Sequence, residues 1–140
     1  MLEKFLRKCD TLRNEGKLHA ILAQEHHLDP AREHEIRTKA ALKHFLVEIA
    51  FAPANPNDGV HHGGTLTLID EKSATIKNTK THDSGALEIT IDWMGTDYRL
   101  LNVYAPAKPL QRVKFYENFR KYLEDDMISG GIGMLSRMYY

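Results

Sequence analysis

The sequence predicts a mixed α/β (α+β) domain in which a mostly antiparallel sheet carries helices packed on one face. Three observations lead there. Apolar residues recur at helical spacing near the start, in the second quarter and near the end of the chain. Between residues 65 and 104 the hydrophobic period changes to two, over four consecutive segments. The helices flank this strand run instead of alternating with strands throughout, which sets them against the sheet as a covering layer.

The elements follow in order. Leu2, Phe5, Leu6, Cys9 and Leu12 share one helical face within residues 2–16, and Gly16 is a natural stop. "LHAILAQE", 18–25, is a short apolar run after that glycine and reads as a buried strand. The second helix, 29–45, has the strongest start signal: Asp29 as N-cap, Pro30 in the first helical position, and acidic residues in the first turns. "LVEIAFAP", 46–53, is a second strand stopped by Pro53, and "ANPNDGVHHGG", 54–64, has loop composition. Strands are then expected at 65–70, 73–78, 86–93 and 97–104, with Met94-Gly95-Thr96 closing the last two into an antiparallel hairpin. A final helix, 109–125, puts Phe115, Phe119, Tyr122 and Leu123 on one face, while Arg112, Lys114, Arg120 and Lys121 need not face the core.

At 140 residues the chain is long enough for one domain with a real core, and residues 1–140 are read as a single domain without an internal linker. Nineteen basic residues balance nineteen acidic ones, which argues against a purely electrostatic nucleic-acid coater and leaves room for an enzyme with a local basic rim. The single Cys9 excludes an intramolecular disulfide and a cysteine-based zinc site. No apolar run approaches the roughly 20 residues of a membrane span, and "MLEKFLRKCD" has no signal-peptide core. The expected setting is intracellular, nucleus or cytoplasm, with no membrane partner and no secretion.

Two strand ends carry the chemistry-bearing residues. "AILAQEHHL" puts Glu25 at the C-terminal end of a strand, where open α/β sheets hold ligands. A glutamate there can bind a hard cation such as Mg²⁺, which takes only one or two protein carboxylates beside water and phosphate oxygens; it can equally be a solvated residue capping the next helix. "YRLLNVYAP" ends a strand on Asn102 and Tyr104, two apart and so on the same face, opposite Leu101 and Val103. A tyrosine hydroxyl can donate to a phosphate oxygen and an asparagine amide can orient a neighbour, although a tyrosine at a core margin serves packing as well. The pairs His26-His27 and His61-His62 lack the spacing of a two-histidine metal motif, since adjacent side chains diverge. Gly63-Gly64 would let a phosphate approach the backbone beside one histidine of the second pair.

Four stretches in sequence, "ILAQEHHL", "GVHHGGTLTLI", "ALEITIDWMGTDYRLLNVYAP" and "PLQRVKFYENFRKYL", resemble the endonuclease/exonuclease/phosphatase superfamily over about residues 15–125. The nearest flavour is the endonuclease domain of non-LTR retrotransposons, itself similar to apurinic/apyrimidinic endonucleases. The resemblance implies two packed sheets flanked by helices, here as an incomplete half of a four-layered α/β sandwich. It also implies a phosphodiesterase that works with Mg²⁺ or Mn²⁺, and DNA as the partner. By the same resemblance Glu25 matches the metal-binding glutamate of the Gln-Glu-Thr motif. Tyr104 matches the active-site tyrosine of Asn-x-Tyr-Ala-Pro, which touches the scissile phosphate, and Asn102 matches a supporting position in that motif. His26 stands where the family has Thr or Ser.

Both ends depart from the family. The first family strand, with an asparagine that assists the metal, has no match before residue 2, and Ile132-Gly133 follow Gly130-Gly131 where the family has Gly-Asp-x-Asn. The final Asp-His pair, the family's general base, has no match. These departures lead to four expectations: an aberrant tail over 127–140, weak metal binding, impaired catalysis, and an apolar sheet face left bare by a missing partner sheet. They suit a frameshifted or truncated mobile-element product. The other readings are a non-catalytic α/β binding module and a reading frame without function.

Overall fold

A computed structural model describes residues 2–82, 86–105, 108–127 and 133–136. The first helix, α1 (Leu2–Asn14), buries Leu2, Leu6 and Cys9. It ends at Gly16, whose φ of 70° lets Lys17 N–H reach Leu12 O at 2.9 Å and Gly16 N–H reach Arg13 O at 2.8 Å, pairing two otherwise orphaned carbonyls. Strand β1 (Ala20–Gln24) follows. Asp29 caps the next segment as expected, its Oδ1 accepting from Ala31 N–H at 2.8 Å. The first turn, Pro30–Arg32, is a 3-10 turn, and only then does α2 (Glu33–Ala41) begin.

That helix stops four residues before the expected end. His44 sits at φ 59°, a left-handed break, and Phe45, which is 2% exposed, opens β2 (Phe45–Ala50). Tertiary packing of Phe45 outweighs the helical propensity of the residues before it. Strands β3 (Thr65–Asp70), β4 (Ala74–Thr81), β5 (Leu87–Trp93) and β6 (Thr96–Asn102) match the alternating run, and β5 and β6 meet through the expected hairpin, with Trp93 opposite Thr96. The last helix, α3, spans Pro109–Met127. Tyr122 and Leu123, placed by the sequence on its buried face, have side chains outside the described set.

The strands divide into two sheets. The first has the order β1-β3-β2, all antiparallel. Because β1 and β2 occupy both edges of β3, the chain leaving β3 has no edge to pair with. It turns at Asp70–Ser73, held by Ser73 N–H to Asp70 O at 3.0 Å, and enters the second sheet, β4-β5-β6-β7. Strand β7 (Gly133–Ser136) lies parallel to β6. Of the expected aberrant tail, this strand and Met127 are described; 128–132 and 137–140 lie outside the described residues.

Three apolar clusters define the layers. Ala50 and Ile69 of the first sheet meet Ala74, Leu87, Ile89, Ile91 and Leu100 of the second. Leu66, Leu68, Phe45 and Val47 face outward from the first sheet onto α1 and α2. Leu101 and Val103 face outward from the second onto Phe115 and Phe119 of α3. Each sheet thus carries helices on one face and the other sheet on its second face. The bare sheet face expected from a missing partner is not observed among the described residues, since the two inner faces cover each other. Leu110 and Val113 are exposed instead, on the outer side of α3. Among the described residues no helix is long and apolar enough to cross a membrane.

Candidate functional site

Strands β1 and β6 lie in different sheets and end at the same rim of the sandwich. The residue after β1 is Glu25, solvent-exposed and at φ 53°. A non-glycine residue in this left-handed region is uncommon and is held by its surroundings. Here Glu25 N–H donates to Gly64 O at 2.9 Å and His27 N–H to Gly63 O at 3.0 Å, so the segment after β1 stays tied to the segment before β3. Tyr104 follows β6 by two residues, and its phenol lies beside the Glu25 carboxylate. Burial first, then the neighbouring carboxylate as an acceptor and as a charge, raise the phenol above its ordinary range. The Tyr104 ring packs closely on Gly63: a Cβ there would stand 2.9 Å from its Cε1.

Asn102 is not at this surface. It points between the sheets and is fully buried, with its amide nitrogen donating to Ala23 O at 3.1 Å, Leu66 O at 3.1 Å and Thr67 Oγ1 at 3.2 Å. Its Oδ1 and the Thr65 hydroxyl are buried without a protein partner among the described residues. The structure therefore brings Glu25 and Tyr104 together and puts Asn102 one layer beneath them.

The histidines resolve individually. His26 Nδ1 accepts from Leu28 N–H at 2.9 Å while its Nε2–H donates to Ala50 O at 3.1 Å. Burial pushes this imidazole below its ordinary value, and both nitrogens are already used. His61 spends Nδ1 on Ala52 O at 2.6 Å. His62 bonds the Asp58 carboxylate at 2.8 Å, which holds that carboxyl below its usual range, and its ring lies 5.9 Å from that of His27. Among the described residues no group of three or more His, Cys, Asp or Glu could hold a metal ion together.

Sequence reasoning missed two contributors. Gln24 reaches across the sandwich, its side-chain nitrogen donating to Val103 O at 2.5 Å. Asp58, an exposed residue in a stretch read only as loop, bonds His62. An amide immediately before a strand-end glutamate was the one available signal for Gln24, and it did not reveal which strand the amide would reach.

No family profile matches the chain, and no curated protein sequence does. Solved structures do match in fold. A humanized D. rerio TDP2 superposes with a TM-score of 0.61 at 13% identity, covering 96% of this chain and 53% of that one. The human Nocturnin catalytic domain with bound sulfate gives 0.55 at 12% identity, covering 92% and 55%. D. rerio TDP2 complexed with a single-strand DNA product gives 0.56 at 14% identity, covering 96% and 50%. An endonuclease/exonuclease/phosphatase family protein from Leptotrichia buccalis gives 0.50 at 13% identity, covering 84% and 55%. The chain spans about half the length of these structures. At such identities the likeness concerns architecture, and the architecture of the described residues is like part of the endonuclease/exonuclease/phosphatase fold.

Proposed function

We propose that the chain is part of a divalent-metal-dependent phosphodiesterase, of the DNA endonuclease kind that retrotransposons carry. The observation that supports this reading is the closeness of the Tyr104 phenol to the Glu25 carboxylate at the shared end of two different sheets. Two residues far apart in the chain and matching two separate motifs meet where a phosphate could reach both.

The donor set suits a weakly held hard cation. Mg²⁺ retains most of its waters and binds through one or two carboxylates plus substrate phosphate, so Glu25 alone can anchor it. When bound, the ion would supply positive charge to the phosphate oxygens and polarise a water. Tyr104 would donate to a phosphate oxygen, its raised pKa keeping the proton in place through neutral pH. Asn102 would keep β6 seated on β1 and β3, acting through position. DNA as substrate is drawn from the resemblance and from the DNA-bound structural neighbour.

Ile132 stands at the position of the family's phosphate-gripping aspartate, and the family's Asp-His general base has no match in the sequence. We therefore propose that these 140 residues bind metal and DNA but cleave poorly by themselves. Mn²⁺ binding measured by electron paramagnetic resonance tests the site. The wild-type chain should bind Mn²⁺ weakly and Glu25→Gln should abolish it, while equal binding by both overturns the assignment. DNA binding without any Mg²⁺-dependent nicking supports the second reading, a non-catalytic module, which the Ile132 substitution favours.

A further inference from the structure

We propose that Gln24 and Asn102 are positioning residues that form a reciprocal clamp across the two sheets and so hold Glu25 and Tyr104 side by side. Gln24 is the residue before Glu25, and it donates to the carbonyl of Val103, the residue before Tyr104, at 2.5 Å. Asn102, two before Tyr104, donates to the carbonyl of Ala23, two before Glu25, at 3.1 Å. The two bonds run in opposite directions between the same two strand ends.

The need for such a device follows from the architecture. Strands β1 and β6 share no ladder, because they belong to different sheets. Between the sheets lie aliphatic side chains, whose attraction is non-directional and tolerates small sliding movements. Glu25 and Tyr104 need directional control at their own end of the sandwich, and hydrogen bonds supply it. Asn102 extends the tie to β3 through Leu66 O and Thr67 Oγ1. A leucine would fill this buried position without stranding an acceptor, yet an amide stands here with its Oδ1 unpaired. Its nitrogen contacts are what distinguish it from an apolar filler.

The inference matters for catalysis only if Glu25 and Tyr104 share a ligand as proposed above, but the test reads the clamp without metal or substrate. The full chain is labelled with 3-fluorotyrosine, and the Tyr104 ¹⁹F resonance is assigned by its loss in Tyr104→Phe. In the wild-type background Glu25→Gln should shift that resonance. In a Gln24→Met background, which keeps the shape and removes the donor, the shift should fall by more than half while the thermal midpoint stays within a few degrees. Gln24→Lys, which restores an N–H donor, should recover it. A full Glu25→Gln response in the Gln24→Met background, or none in the wild type, overturns the clamp. Asn102→Leu should weaken the response likewise; if that variant does not fold, Gln24→Met decides. A clamp that passes while Mn²⁺ fails to bind would sink the metal reading alone.

Discussion

Gly64 and Gly16 offer a controlled comparison, since both have positive φ and only one is crowded. Gly64 has φ 88° and Gly16 φ 70°, so a Cβ at either carries the left-handed penalty of about 1–2 kcal/mol. Around Gly16 a Cβ would meet nothing within 4 Å. At Gly64 it would collide with His26 Nε2 and lie 2.6 Å from His26 Cε1 and 2.9 Å from the Ala50 carbonyl oxygen. The Ala50 carbonyl belongs to the backbone at the end of β2 and cannot swing aside, so His26 must move. Moving it breaks the bonds to Ala50 O and Leu28 N–H, about 1 kcal/mol net apiece. Gly64→Ala should therefore lose about 3–4 kcal/mol, and Gly16→Ala about 1–2. The entropy that any Gly→Ala change removes from the unfolded chain is the same in both and cancels. Urea unfolding followed by far-ultraviolet circular dichroism measures the two, with the m-value as the check that only stability has changed. Equal losses at the two sites would refute the claim that the close approach of His26 to the β3 entrance constrains residue 64.

Met94→Asn should raise stability by about 0.5–1 kcal/mol, because the two-residue turn between Trp93 and Thr96 holds Met94 at φ 54° with its side chain exposed, a conformation asparagine adopts more readily; a lower urea midpoint contradicts this. Cys9 is buried on α1, and burial pushes its thiol up to about 11, so a disulfide reagent at mildly alkaline pH should label it only as fast as the chain unfolds. Rapid labelling of the folded chain would contradict that burial. The hydrogen bond from Arg32, then that from Lys39, lowers Glu35 to about 2. A native pKa below the unfolded value means the stabilisation is complete above the unfolded range, near 4.5, and is lost as pH falls toward 2. The stability difference between wild type and Glu35→Gln should thus shrink on acidification through that window and in high salt, because the cluster is solvent-exposed. A difference that grows on acidification contradicts the sign.

What the residue order reveals here divides by range. The Asp29-Pro30 cap, the Gly16 stop and the Met94-Gly95 hairpin depend on a few adjacent residues, and each is where the sequence puts it. The helix expected to run to Phe45 ends at Ala41 because Phe45 is needed under α1, a demand invisible within the helix itself. The separation into two sheets was implied by the family resemblance and not by the strand pattern itself: β3 takes β1 and β2 as its neighbours, and their occupation of both edges sends β4 elsewhere. At the rim, Glu25 and Tyr104 were legible from strand-end motifs. Their meeting, the seating of Tyr104 on Gly63, and the reach of Gln24 to Val103 are contacts across layers, which no local pattern encodes.

The depth of Asn102 changes how the rim must be understood. A group that touches a phosphate has to be reachable, and Asn102 is fully buried, with its nitrogen bound by three acceptors on two other strands. Any influence it has on a phosphodiester bond must pass through the placement of Tyr104. Tyr104 in turn has a single proton to give, and the Glu25 carboxylate lies beside it as an acceptor. A phosphate oxygen entering the rim must compete with Glu25 for that hydroxyl, so Tyr104 is a donor that can be redirected. It is not a base, because its pKa is raised. Glu25, on the proposed reading, faces the cation, which leaves it poorly suited to take a proton from water. The two residues together can orient a phosphate through the Tyr104 hydroxyl and, on the proposed reading, anchor the cation that offsets its charge, while the Asp-His pair that serves as general base in the resembled family has no match in the sequence.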